Sequence, residues 1–190
     1  MPPAARQMRR DDKEEVPDLT RLSSSALLTL YARVLGELND RMVTRSTNNP
    51  AADVAEYLAV DALALTLAPK STKGYDATDA KGRRYEIKGR RVTAHNKSRQ
   101  LSPFRDLPKR QFDYFVGVLF KEDFSVLQAC ILPFDVVHQE AKFRNHVNGS
   151  ILHLRDSIWQ KHGVRDITAV VKAAEARLLR PISFPTRRRA

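Results

Sequence analysis

The stretch that most constrains the fold is "FDYFVGVLFKEDFSVLQACILP", Phe112 to Pro133. Phe112–Phe120 is apolar almost without interruption, the pattern of a strand covered on both faces. "KED" turns the chain, and "FSVLQACILP" reads as the partner strand. Helical patterns on either side supply the covering layers. Leu27, Tyr31, Val34, Leu38 and Met42 recur at three and four positions, so a helix is expected over Ser24–Arg45, capped by Ser24 or Ser25. Asn49 as cap and Pro50 at the first helical position open a second helix. It is expected to run to about Leu67, with Val54, Ala55, Leu58, Ala62 and Leu65 on its apolar face. "FDVVHQEAKF" reads as a short helix, "SILHLR" as a strand and "RDITAVVKAAEARLL" as a last helix. The expected class is α/β, a central mixed β-sheet flanked by helices.

The chain has 190 residues, 42% of them hydrophobic, enough for one cored domain. That domain is expected over 21–180, between a flexible charged tail at 1–20 and a basic tail at 181–190. No apolar run approaches the length of a bilayer span, and "MPPAARQMRRDDKEEVPD" has no apolar segment of the secretory kind. The single cysteine, Cys130, sits in an apolar run and reads as packing. A cytoplasmic protein without membrane contact is the expectation. Net charge is +11, and its cations crowd between Lys81 and Arg110, which favours a phosphate-facing surface. None of the five histidines has a zinc-like partner spacing.

The charges sort by face in "KGYDATDAKGRRYEIKGRR", Lys73 to Arg91. Asp79-Ala80-Lys81-Gly82 fits a type I turn closed by a left-handed glycine, the bulged hairpin. That turn pairs Asp79 with Arg83 and therefore Asp76 with Glu86. Lys88, two residues on, shares their face, while Tyr75, Ala77, Tyr85 and Ile87 take the other. A plain two-residue turn would shift the register by one. Opposed carboxylates repel, and a hard divalent cation between them removes the cost. A cross-strand salt-bridge cluster, with Asp76 and Glu86 satisfied by Lys88 or Arg90, uses the same residues. Glu56 lies on or beside the small apolar face of the second helix.

These residues together resemble the catalytic hairpin of the PD-(D/E)XK nucleases, the restriction-endonuclease-like superfamily. The matching pieces are Asp76, Glu86-Ile87-Lys88, Glu56 on the preceding helix and the apolar strand at Phe112–Phe120. The resemblance covers roughly 50–120 and implies a restriction-endonuclease-like catalytic core over about 50–132. It implies that Asp76 and Glu86 bind Mg²⁺ (Mn²⁺ as a substitute) with help from the Ile87 carbonyl. Glu56 would complete the metal site, and Lys88 would position the attacking water. Tyr75 stands where the family has proline. The family core also continues through a helix into a fourth strand, which is expected here after a displaced crossover helix or from "SILHLR".

The implied reaction is Mg²⁺-dependent hydrolysis of a DNA phosphodiester, leaving a 5′-phosphate. A type II restriction-like enzyme acting on double-stranded DNA as a homodimer is the leading expectation. The first helix is a candidate dimer or DNA-backbone element, and a partner DNA methyltransferase would accompany a restriction role. A junction resolvase-like nuclease and a non-catalytic DNA-binding protein on the same scaffold are the alternatives. Arg90, Arg91, Lys97, Arg99 and Lys109 are candidate phosphate contacts, and Asn96, Arg99 and Gln100 candidate base readers.

Overall fold

Phe112–Pro133 forms the expected hairpin at the centre of a six-stranded sheet in the computed structural model, which describes residues 18–46 and 49–178. Nearly all of the two expected tails therefore lies outside the described residues. The elements, in chain order, are α1 (Ser24–Asp40), α2 (Ala51–Leu63), β1 (Thr66–Leu67), β2 (Ala77–Thr78), β3 (Arg84–Arg91), β4 (Tyr114–Phe120), β5 (Val126–Pro133), α3 (Phe134–Glu140), β6 (Lys142–Arg144), β7 (Gly149–Ile151), β8 (Arg165–Asp166) and α4 (Thr168–Leu178). The main sheet runs β1-β2-β3-β4-β5-β8. β3 and β4 are parallel and every other pair is antiparallel, so the sheet is mixed.

Alternation along β4 builds two cores. Val116, Val118 and Phe120 pack with Val54, Ala55 and Leu58 of α2 and with Val171 and Ala174 of α4. Phe115 and Leu119 face the opposite layer, with Phe104, Leu132, Phe134 and Val137. Both faces of β4 are sealed, as its unbroken apolar pattern requires. The α2 layer lies very close to β3. A Cβ at Gly89 would stand 2.2 Å from the Ala51 carbonyl oxygen, so only glycine lets the helix settle there.

Both N-terminal helices end earlier than their patterns suggest, and for one reason. α1 stops at Asp40, not Arg45, because Met42 takes a left-handed conformation (φ 62°). The Met42 and Val43 amides then turn back to the Asn39 and Leu38 carbonyls at 2.9 and 3.0 Å. α2 stops at Leu63, not Leu67, because Ala64 does the same (φ 51°), with the Leu65 amide on the Val60 carbonyl at 3.0 Å. Thr66 and Leu67 are released to form β1. The α1 cap is Ser23, whose Oγ accepts the Ala26 amide at 3.2 Å, one residue before the expected positions. α2 starts at Ala51, so Pro50 and not Asn49 takes the cap position, one residue later than expected; Asn49 Oδ1 still accepts the Ala51 amide at 3.1 Å.

The strand expected at "SILHLR" does not join the main sheet. Both edges of β4 are already taken by β3 and β5, and Gly149–Ile151 pairs with β6 in a separate two-stranded sheet. Ser150 and His153 instead bridge to Phe104 and Gln100. The last helix begins at Thr168, because Arg165 and Asp166 extend the sheet along β5. Among the described residues no helix is long and apolar enough to cross a membrane.

Candidate functional site

The turn between β2 and β3 has the expected geometry. Gly82 is left-handed (φ 75°), its amide donates to the Asp79 carbonyl at 2.9 Å, and the Asp79 amide donates to the Arg83 carbonyl at 3.1 Å. Thr78 pairs with Arg84 and Ala77 with Tyr85. β2 ends at Ala77; the Asp76 amide donates to the Tyr85 carbonyl at 2.8 Å, one position off that register, and its carboxylate accepts the Ile87 amide, so Asp76 stands beside β3 without forming the expected ladder pair with Glu86. Ala77, Tyr85 and Ile87 pack in the α2 core, so Glu86 and Lys88 take the opposite face of β3. Tyr75 is a correction: it packs against the other core, because β2 has ended before it and strand alternation no longer applies.

Three carboxylates belong to this region, and the Glu86 charge acts on both Asp76 and Glu56. Glu86 is paired with Lys88 at 2.7 Å, with side chains only 16% and 12% exposed. The Lys88 ammonium also lies 4.8 Å from the centre of the Phe104 ring. Glu56 is paired with Arg45 at 3.4 Å. Asp76 has no ion pair among the described residues; its Oδ2 accepts the Ile87 amide at 2.7 Å. Burial, and then the nearby charge of Glu86, pushes Asp76 up to about 7. Burial also raises Glu56, opposed chiefly by the Arg45 charge.

The hairpin contributes to two clefts. Asp76 and Glu56 line one of about 240 Å³ with Arg45, Lys70 and Thr72. Glu86 and Lys88 line one of about 450 Å³ with Lys73, Phe104 and Leu107. Among the described residues no three His, Cys, Asp or Glu side chains stand together as a ready metal cage. Asp76 and Glu86 nevertheless suit Mg²⁺, which takes one or two carboxylates and fills its shell with water and phosphate oxygens. Ile87 contributes its amide to Asp76 here.

Residues absent from the sequence reading also belong to the site. Arg45 leaves α1 and turns in toward Glu56 only because of the left-handed Met42, which no glycine announces. Lys70 Nζ reaches the Arg45 carbonyl at 3.2 Å, and Phe104 arrives from the loop between β3 and β4. The crowding of cations between Lys81 and Arg110 is visible in the sequence, but not which apolar residue backs Lys88.

The candidate DNA contacts divide by their partners. Arg90 Nε donates to the Ser98 carbonyl at 3.1 Å. Arg91 Nε donates to the Glu122 carbonyl at 2.8 Å and its guanidinium stacks on Phe124. Arg99 pairs with Asp156 at 2.5 Å, tying the loop to the segment after β7. Asn96 Oδ1 accepts the Ser98 amide at 3.1 Å within a turn. Lys97 and Gln100 are exposed, and Lys109 is exposed beside Asp106 at 3.2 Å. No protein-family model matches the chain, and no curated protein does.

Proposed function

We propose that the protein is a metal-dependent endonuclease of duplex DNA, built on a restriction-endonuclease-like core. The observation that carries this reading is the charge balance around Asp76. Glu56 and Glu86 each have an internal cation, while Asp76 is partly buried with only an amide donor among the described residues. A desolvated carboxylate of that kind binds either a proton or an external cation. With Glu86 one strand away and a basic surface beside it, Mg²⁺ and a DNA phosphate are the natural occupants.

Asp76 and Glu86 would hold the metal, which supplies charge neutralisation at the phosphate. Lys88, kept in place by Glu86 and the Phe104 ring, directs its ammonium into the cleft. There it orients the attacking water and stabilises negative charge growing on the phosphate oxygens. Water adds at phosphorus, the bond to the 3′-oxygen breaks, and the products are a 5′-phosphate and a 3′-hydroxyl. The protein is read as a homodimer, which gives one site per strand. α1 supports this, since Leu28, Tyr31 and Val34 are 70%, 55% and 47% exposed on one helix.

The test is incubation with plasmid and with a four-way junction, in Mg²⁺ and in EDTA, beside Glu86→Ala and Lys88→Ala. Mg²⁺-dependent cutting lost in both variants supports the site. Equal cutting by the variants sinks it. Discrete plasmid fragments identify a restriction-like enzyme, cutting of the junction alone a resolvase, and binding without cutting a DNA-binding protein.

A further inference from the structure

The nuclease reading gives Arg45 no task, yet its backbone is held from three sides. The Arg45 and Ser46 amides donate to Asp53 Oδ2 at 3.0 and 2.9 Å, and Lys70 Nζ donates to the Arg45 carbonyl at 3.2 Å. From this platform Nη1 donates to Glu56 Oε2 at 3.4 Å and Nη2 to the Ala68 carbonyl at 3.3 Å. Both contacts are long for charge-assisted bonds, which favour about 2.7–2.9 Å. Two of the five guanidinium donors are used among the described residues, and the side chain is 28% exposed in the cleft that also holds Asp76.

We propose that Arg45 is a phosphate-binding residue that exchanges partners. It holds Glu56 in the DNA-free protein. When DNA enters, it takes a backbone phosphate oxygen and releases Glu56 toward Asp76 and Glu86. This rests on the nuclease reading of the same site.

Charge balance favours the exchange. In the free protein the carboxylates of Glu56, Asp76 and Glu86 have two paired cations, Arg45 and Lys88, while Lys70 and Asp53 of the same cleft offset each other. With a divalent ion bound, the three carboxylates are balanced by that ion and Lys88 alone. Arg45 is then surplus inside the protein, and one phosphate charge balances it. The guanidinium fork suits phosphate as well as carboxylate, so the change of partner needs no new geometry from the side chain.

The test is a binding cycle on the full chain, using a fluorescent DNA duplex in EDTA. Glu56→Gln frees Arg45, and binding is expected to tighten about tenfold, the scale of one charge-assisted hydrogen bond. Adding Arg45→Gln is expected to abolish that gain. In Ca²⁺, Arg45→Gln alone should lower the slope of log affinity against log salt by about 0.9, the loss of one phosphate contact. Arg45→Met, which also removes the charge and keeps much of the side-chain stem, replaces Arg45→Gln if the latter does not fold. A gain from Glu56→Gln that survives removal of Arg45 reflects charge deletion alone and overturns the proposal. An unchanged salt slope overturns it as well. A wild type that binds and cuts DNA without coupling in the cycle sinks this proposal alone. A wild type that binds no duplex in either condition overturns the nuclease reading and this proposal with it.

Discussion

Replacing Asp76 with asparagine isolates the cost of a partly buried carboxylate that has no ion pair among the described residues. Asn keeps the shape, and its carbonyl oxygen can still accept the Ile87 amide that Asp76 Oδ2 now accepts at 2.7 Å. In the folded protein Asp76 is raised from 3.8 to about 7, first by burial and second by the Glu86 charge. Below pH 4 both the folded and the unfolded chain hold the proton, so wild type pays no penalty. Between pH 4 and 7 the unfolded chain gives up its proton and the folded chain keeps it, so wild-type stability falls as pH rises. Above pH 7 the full cost is present. At about 1.4 kcal/mol per pH unit, a rise from 3.8 to about 7 amounts to about 4 kcal/mol. Urea unfolding of wild type and Asp76→Asn in EDTA, at pH 4.5, 6 and 8, measures this directly. The variant should gain on wild type as pH rises and lead by about 4 kcal/mol at pH 8. Mg²⁺ at pH 8 should stabilise wild type more than it stabilises the variant. A difference that stays flat with pH would refute the claim that Asp76 is a desolvated, uncompensated carboxylate.

Other substitutions probe how the site is positioned. Gly82→Ala meets open space but a left-handed backbone, so it should cost about 1 kcal/mol in chemical denaturation, with no loss of core packing. Gly89→Ala forces a Cβ against the Ala51 carbonyl. It should cost about 3 kcal/mol or more and displace α2, lowering cleavage through Glu56 although Gly89 touches no substrate. Leu28→Asp with Tyr31→Asp on the exposed face of α1 should give a monomer by light scattering with an unchanged melting temperature. Melting well below wild type would show instead that this face is part of the core.

What was legible in the sequence followed from short-range chemistry. Asp79 and Gly82 set the turn, and the turn set the register of Thr78 with Arg84 and Ala77 with Tyr85; Asp76 lies one residue beyond β2, where that register no longer holds. The apolar run at Phe112–Phe120 likewise announced a strand sealed on both faces. What escaped depended on residues whose backbone defies their own preference. Met42 and Ala64 adopt left-handed conformations that glycine would have signalled, so both helices were read too long. That error hid Arg45, which looked like the last residue of a helix and is instead the cation paired with Glu56. The placement of "SILHLR" was a question of competition for sheet edges, and β3 and β5 had already claimed both sides of β4.

The most direct measurement is Mn²⁺ binding, followed by the loss of the free-ion signal in electron paramagnetic resonance, for wild type and Asp76→Asn across pH 6 to 8.5. Proton and metal compete for Asp76, so wild-type affinity should rise with pH through about 7 and level off above it. Asp76→Asn should bind at least about tenfold more weakly at pH 8, consistent with the loss of one carboxylate ligand. A variant that binds Mn²⁺ as tightly as wild type, with the same pH dependence, would contradict the account that Asp76 is the seat of the catalytic cation.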